Sequence, residues 1–178
     1  KGLNRLFSFE ELLNTIRYLR KMTRRPVTTT ELGAEYAANH ALLDLGDFMF
    51  PDVHASWHKG STPLLAWQET QQRACRLAHL TSQSPKPILM KMVSYPSNGA
   101  EGLSTESQLD FYRLAVEGSR DDADFPQRVV LSFATAFDPI WKTVQNGWAE
   151  AERHTGLFTA DRHPKPAVVK VNWRTKHL

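Results

Sequence analysis

The sequence predicts an α/β fold in which four parallel strands alternate with crossover helices. Strand-like and helix-like segments follow one another along the chain, which is the order that a parallel sheet requires. The apolar runs at 48–53 and 129–134 are nearly continuous, as in strands that are buried on both faces. No hairpin signal, repeat or linker interrupts the 178 residues, so we expect a single domain over 1–178.

The first half of the chain carries signals of helices that alternate with two strands. Ser8 and Glu11 match a capping box, and the apolar residues that follow repeat at helical spacing. β-Branched and aromatic residues beside Pro mark the strands, and a run rich in Leu, Ala and Gln marks a long helix. These signals predict, in order, a helix near 9–23, a strand at 26–31, a short helix at about 34–43, a strand at 47–53 and a helix at 63–81.

The second half repeats this alternation. A buried apolar run ends in the sequence Tyr-Pro-Ser-Asn-Gly at 95–99, whose residue types favour a turn. Thr105 and Gln108 match a second capping box. The signals predict, in order, a strand at 88–93, a helix from 105 to about 118, a strand at 127–134 and a helix from about 139 to 153. The tail after Gly156 is expected to wrap around the outside.

Composition and charge exclude several classes of partner. Hydrophobic residues make up 41% of the chain and charged residues 23%, which is typical of globular domains. No apolar run approaches the roughly 20 residues that span a bilayer, so we expect no membrane span. The net charge is +3, and the basic clusters at 20–25 and 174–177 are better explained as a solvated helix end and a terminus than as a nucleic-acid surface. Residues 1–5 lead directly into the first helix, so we expect no signal peptide there, and the sequence indicates no compartment.

The sequence predicts no metal and no cofactor. Cys75 is the single cysteine, which excludes an internal disulfide and a cysteine-based zinc site. His54 and His58 have the spacing that binds a metal on a helix, but their surroundings predict strand and loop. The chain has no glycine-rich phosphate loop and no Ser-His-Asp signature.

The stretch Lys-Met-Val-Ser-Tyr-Pro-Ser-Asn-Gly at 91–99 resembles the turn Glu-Thr-Gly-Trp-Pro-Ser-x-Gly. That turn carries the catalytic nucleophile of the family 17 glycoside hydrolases, which act on β-1,3-glucans. Four further blocks are similar to that family in the same order, at 25–31, 47–57, 134–142 and 152–158. The resemblance runs from about 9 to about 166. It implies a single partial domain of four β/α units that resemble strands five to eight of a (β/α)8 TIM barrel, a half barrel.

The resemblance also implies that a central chemical group is missing. Met92 stands where the family has its nucleophilic Glu, and the acid/base Glu of the family would precede Lys1. Lys142 and Glu152 match members of the family's active-site charge network, whereas Pro139 replaces another Glu. Retaining hydrolysis needs two carboxyl groups about 5–5.5 Å apart. We therefore expect a glycoside hydrolase-like or transglycosylase-like chain that is inactive by itself, so whether it is an enzyme stays open.

Five residues near the predicted strand ends are candidate ligands for a β-glucan or oligosaccharide. Trp57, Tyr95 and Trp141 are aromatic rings that stack on the C–H surface of sugars, and His54 lies in the same region. Glu31 ends the first strand, where barrel sites form. The alternatives are core packing for the aromatic rings and, for Glu31, a carboxylate bonded to neighbouring loop amides or an arginine.

Two further functions are consistent with the sequence. Loss of the nucleophile at Met92 favours a non-catalytic carbohydrate-binding or scaffold protein. Four parallel strands also leave two open edges, which favours assembly with a second half barrel or with another copy of the chain. If the chain is active, hydrolysis and glucan transfer differ only in the acceptor that attacks the glycosyl intermediate.

Overall fold

The computed structural model describes residues 7–53, 61–83, 85–147 and 149–173. The fold is mixed α/β and contains a two-stranded parallel sheet. The elements are α1 (Phe9–Thr23), α2 (Gly33–Ala38), α3 (Ala41–Leu45), α4 (Pro63–Leu80), β1 (Ile88–Val93), α5 (Thr105–Asp121), β2 (Val129–Phe133), two 3₁₀ helices (Val144–Asn146 and Glu150–His154) and α6 (Pro166–Lys170). Within the described ranges, no helix combines the length and the apolar character needed to cross a membrane.

The predicted first helix is confirmed as α1, together with its capping box. The Ser8 hydroxyl accepts from the backbone N–H of Glu11, and the Glu11 carboxylate accepts from the backbone N–H of Ser8. These reciprocal bonds satisfy two donors that the helix start would otherwise leave without partners. Arg24 ends the helix in a left-handed conformation, with its N–H donating to the carbonyl of Arg20.

The second predicted capping box is displaced by one residue. Ser104 caps α5, and its partner is Ser107 rather than Gln108. The Gln108 side chain is fully buried and donates to the carbonyls of Tyr95 and Gly156, at 2.8 and 3.2 Å. The prediction for Thr105 and Gln108 was wrong, because Ser104 is the N-cap and the Gln108 amide instead donates to these two carbonyls in the core.

The third and fourth predicted strands form the sheet. β1 and β2 run parallel, with Ile88 opposite Val129 and Met90 opposite Leu131. The register shifts between Met90 and Val93, so the end of β1 is bulged. Parallel strands bring their carboxyl ends to the same edge of a sheet, and the bulge therefore lies at that edge.

The first two predicted strands are extended segments that the structure joins by isolated bridges. Residues 26–31 lie beside 47–53, and 47–53 lies beside β1, all parallel. The hydroxyls of Thr28 and Thr30 donate to the carbonyls of Phe48 and Phe50. Side-chain donors thus occupy carbonyls that backbone N–H groups would occupy in a regular ladder. The isolated parallel bridges are Leu32 to Asp52, Met49 to Ile88, and Asp52 to Lys91.

Two helix predictions were wrong in their extent. The expected helix at 139–153 is replaced by the two 3₁₀ helices, and Gly147 separates them in a left-handed conformation with φ 79°. The expected helix at 34–43 is divided into α2 and α3, because Asn39 leaves the helical region with φ −131° and ψ 89°. Hydrophobic spacing alone did not reveal either break.

The core lies around α4, α5 and β1. α4 contacts both α5 and β1, and α5 also contacts α6. Trp67 of α4 stacks on Phe125 with ring centroids 5.8 Å apart. A second aromatic cluster joins α5 to the sheet and the tail, and it consists of Tyr95, Phe111, Tyr112, Phe133 and Trp173. These contacts hold the segments that follow β1 and β2 against the helices.

Candidate functional site

An open cavity of about 640 Å³ lies at the carboxyl ends of β1 and β2. Its wall comes from the end of β1, from the segment that follows β2 and from the extended segment 47–53. Ligand sites in parallel α/β folds form at this edge, because the loops there vary without disturbing the sheet. The lining residues are Asp52, Met92, Thr135, Ala136, Phe137, Asp138, Pro139, Trp141 and Lys142.

Met92 is the β1 residue that lines the cavity. Its backbone is left-handed, with φ 64°, and it lies inside the bulge between Met90 and Val93. The side chain of the next residue, Val93, is buried in the core. A residue with a Cβ costs roughly 1–2 kcal/mol in this conformation. The bulge thus presents to the cavity a thioether, which carries no charge and no acidic proton.

The predicted residues Lys142, Glu152 and Trp141 come together on one side of the cavity. The Lys142 Nζ lies 2.8 Å from Glu152 Oε2, and these side chains are 9% and 20% exposed. The same Nζ lies 5.7 Å from the centroid of the Trp141 ring, which is within the range of a cation–π contact. Trp141 is 65% exposed, so its ring offers an apolar surface to a ligand.

A second ion pair, which the sequence did not indicate, joins the lining residue Asp138 to Lys165. The Lys165 Nζ donates to Asp138 Oδ1 at 2.7 Å, to Ser97 Oγ at 2.8 Å and to the His154 carbonyl at 3.3 Å. The Gly156 N–H also donates to Asp138 Oδ1, at 2.9 Å. Burial lowers the pKa of Lys165, and the hydrogen bond and charge of Asp138 oppose that shift.

A third ion pair lies on the opposite part of the wall. The Lys91 Nζ is 3.3 Å from Asp52 Oδ2 and 5.6 Å from the Phe50 ring centroid. Glu31 is adjacent through the backbone, since its carbonyl accepts from the Asp52 N–H at 2.8 Å. Burial and then the nearby Glu35 charge raise the pKa of Glu31, while Lys91 opposes this shift. Glu31 is not among the residues that line the cavity.

The structure places Tyr95 in the core and away from the cavity. Its side chain is fully buried, its hydroxyl donates to the Ser61 carbonyl at 3.0 Å, and its ring stacks on Phe111 at 5.3 Å. Burial also raises the pKa of Tyr95. A ring without exposed surface cannot stack on a sugar in this arrangement, which matches the core-packing alternative. The candidate ligands His54 and Trp57 lie outside the described residues.

The turn at 95–99 anchors the segment that carries Glu152. Gly99 has φ 96°, and a Cβ built on it would lie 2.5 Å from the backbone nitrogen of Ala151, so only glycine fits this turn. The backbone N–H of Ser97 donates to the His154 carbonyl at 2.9 Å. Within the described part of the chain, no group of three or more His, Cys, Asp or Glu side chains is arranged to hold a metal ion.

No protein-family model and no curated protein matches the chain. Solved structures do match, and among them is a glycoside hydrolase family 17 β-1,3-glucanosyltransferase from Rhizomucor miehei, with a TM-score of 0.68 and 17% identity. The match covers 97% of this chain and 61% of that one. An active-site mutant of the R. miehei β-1,3-glucanosyltransferase in complex with laminaritriose matches with a TM-score of 0.65 and 17% identity, over 92% of this chain and 57% of that one. The chain has a glycoside hydrolase-like fold.

Other solved structures support the same fold. The β-glucuronidase from Ruminococcus gnavus matches with a TM-score of 0.64 and 17% identity, over 91% of this chain and 28% of its own. A GH2 β-galacturonidase from Eisenbergiella tayi matches with a TM-score of 0.62 and 11% identity, over 89% and 28% of the two chains. The chain therefore spans less than two thirds of each of these glycosidases. At such identities the similarity establishes the fold alone.

Proposed function

We propose that the chain is a carbohydrate-binding, glycoside hydrolase-like protein of the family 17 type, which binds β-1,3-glucan or its oligosaccharides in the cavity at the ends of β1 and β2. In this proposal the two extended segments and the two strands correspond to strands five to eight of a TIM barrel. The observation that carries the proposal is Trp141, an exposed aromatic ring at the rim of a strand-end cavity. Aromatic faces bind pyranose rings by covering their apolar C–H surface.

The charges around the cavity favour a neutral sugar. Each charged lining residue has an oppositely charged partner: Asp52 pairs with Lys91 at 3.3 Å, Asp138 with Lys165 at 2.7 Å, and Lys142 with Glu152 at 2.8 Å. A uronic acid carboxylate would have to compete with one of these carboxylates for its cation. Hydroxyl groups, in contrast, bond to the outer lone pairs of such carboxylates without breaking the pairs. The paired charges of the lining residues therefore favour a neutral glucan over a uronic acid as the ligand.

The same wall argues against hydrolysis by this chain. The retaining mechanism needs one carboxyl group as the nucleophile and another as the acid/base. The residue of β1 that lines the cavity is Met92, and a thioether takes neither role. The carboxylates of Asp138 and Glu152 are each already engaged in an ion pair with a lysine, at 2.7 and 2.8 Å. We therefore expect binding without turnover.

Titration with laminaritriose tests this proposal. We expect saturable binding by calorimetry or by NMR, strongly weakened in Trp141→Ala, together with no release of reducing ends from laminarin. Tyr18→Ala is the matched control, because Tyr18 is 62% exposed on α1 and is not a lining residue. If laminaritriose does not bind, or if Trp141→Ala and Tyr18→Ala lose affinity equally, the proposed site is contradicted. Release of reducing ends from laminarin contradicts the expectation that the chain is inactive.

A second candidate function is assembly into a closed barrel. In the described part of the chain, β2 pairs with β1 alone, so its other edge is open, and residues 27–32 form the opposite open edge. Val130 of β2 and Leu32 are 46% and 44% exposed there. Exposed parallel edges favour pairing with a further strand, here one from a second half barrel or a second copy. Light scattering on a size-exclusion column distinguishes an oligomer from a monomer, and a strictly monomeric chain contradicts assembly with itself.

A further inference from the structure

We infer that Lys142 and Glu152 are positioning residues that orient the Trp141 ring for sugar stacking, and this inference rests on the proposed glycan-binding function. By resemblance, these two residues belong to a catalytic charge network. In this protein Lys142 lies beside Trp141, a lining residue with an exposed aromatic ring. The atoms form a continuous series, in which Glu152 Oε2 lies 2.8 Å from Lys142 Nζ and that Nζ lies 5.7 Å from the Trp141 centroid.

The lysine is held at both of its ends. Its backbone N–H donates to the Pro139 carbonyl at 2.9 Å, and its Nζ binds Glu152. Glu152 is itself fixed in the second 3₁₀ helix, where its N–H donates to Ala149 and its carbonyl accepts from the Thr155 hydroxyl at 3.2 Å. The cation therefore stays in one place beside the ring, because its own side chain is only 9% exposed.

A fixed cation restricts the exposed ring. The face of an indole is negative and attracts an ammonium group, which stabilises the rotamer in which the two are in contact. An exposed tryptophan without such a contact samples several rotamers, and ligand binding must then remove that freedom, at a cost in conformational entropy. Orientation of the ring before binding avoids part of this cost. The Lys142–Glu152 pair thus acts on affinity through Trp141 and not through contact with the sugar.

The test combines a spectroscopic signal with a binding measurement. The chain has five tryptophans, and incorporation of 5-fluorotryptophan gives each a 19F resonance, with that of Trp141 assigned by Trp141→Phe. We expect Lys142→Met to shift and broaden the Trp141 resonance and to weaken laminaritriose binding by about threefold or more. Lys142→Arg keeps a cation near the ring, so most of the affinity should return. Glu152→Gln provides a second route, because it frees the lysine while preserving the volume of its partner.

The double variant Trp141→Ala/Lys142→Met separates orientation from direct contact. If the lysine acts only through the ring, the double variant binds as weakly as Trp141→Ala alone. Arg20→Met is the control, since it breaks the Arg20–Asp47 ion pair of 2.8 Å between residues that do not line the cavity, and it should leave the Trp141 resonance unchanged. An unshifted Trp141 resonance in Lys142→Met and Glu152→Gln, or a further loss of affinity in the double variant, overturns the inference. Absence of laminaritriose binding in the unmodified chain overturns the proposed function instead, and the 19F comparison still decides the orientation of the ring.

Discussion

The Lys165 Nζ lies 2.7 Å from Asp138 Oδ1. Lys165 precedes the first residue of α6, and Asp138 lines the cavity. The same ammonium also donates to Ser97 Oγ and to the His154 carbonyl, so it joins the turn after β1, the segment after β2 and the second 3₁₀ helix. The two side chains are 5% and 10% exposed. One buried cation therefore fixes the lining segment after β2 to the turn after β1 and to the second 3₁₀ helix.

Replacement of Lys165 by methionine should destabilise the protein strongly. The substitution preserves much of the side-chain volume but leaves the Asp138 carboxylate buried without its cation, which costs about 3–5 kcal/mol. Urea unfolding followed by circular dichroism measures the loss. Lys170→Met is the control, because Lys170 is an exposed lysine of the same helix. Equal stabilities of the two variants would show that the buried pair contributes nothing.

The free energy of unfolding should fall as the pH rises above about 10. Burial raises the pKa of Tyr36 to about 12, and it also raises the pKa of Tyr112 and of Tyr95. Since tyrosine has a pKa near 10 in the unfolded chain, the unfolded state loses these protons first, and the stability that Tyr36 contributes disappears between about pH 10 and 12. Urea unfolding at a series of alkaline pH values measures the decline, and Tyr36→Phe should make it less steep.

Lys165 acts in the opposite direction, at a lower pH than the tyrosines. Its pKa is lowered in the folded protein, so between that value and the unfolded value near 10.4 the unfolded state holds more protons. Its contribution to stability therefore increases with pH up to about 10.4, and Lys165→Met should remove this increase. For the tyrosines, if the free energy of unfolding falls with pH equally steeply in Tyr36→Phe and in the unmodified chain, the assignment of this decline to buried tyrosines is contradicted.

The left-handed backbone at Met92 predicts a preference for glycine over alanine. Both substitutions remove the thioether, so their difference reports the backbone conformation with φ 64°. Met92→Gly should be more stable than Met92→Ala by about 1 kcal/mol, because alanine keeps the Cβ that is disfavoured there. Thermal or urea unfolding of the pair measures this difference. An alanine variant that is the more stable of the two would show that the bulge does not impose this conformation.

Substitution of Gly118 by alanine should destabilise the packing of α4 on α5. A Cβ on Gly118 would lie 2.5 Å from Cζ2 of Trp67, which is itself stacked on Phe125. Overpacking costs about 1–3 kcal/mol, more than the roughly 1 kcal/mol that alanine adds through helix propensity. Gly33→Ala is the control, since a Cβ there meets its nearest neighbour at 3.9 Å. We expect a lower melting temperature for the first variant only, and a stabilised Gly118→Ala would contradict this view of the interface.

The local elements were predictable because their signals are local. The cap formed by Ser8 and Glu11 and the apolar spacing of α1 lie within a few residues of one another, and the helix forms as predicted. The glycoside hydrolase-like fold was indicated by five short sequence blocks that resemble family 17 in the same order along the chain. The half barrel of four units and the β-1,3-glucan ligand remain proposals, because structural similarity at 17% identity extends to the fold alone.

Contacts between distant segments decided the rest. Asp138 and Lys165 are 27 positions apart, and no spacing rule in the sequence connects them. Tyr95 and Trp141 both follow strands, yet only tertiary packing determines that Tyr95 stacks on Phe111 while Trp141 stays exposed. Thr28 and Thr30 have high strand propensity, yet their segment forms no regular ladder, and their hydroxyls donate to the carbonyls of Phe48 and Phe50. Propensity and periodicity describe single segments, whereas burial and ion pairing depend on which segments meet in space.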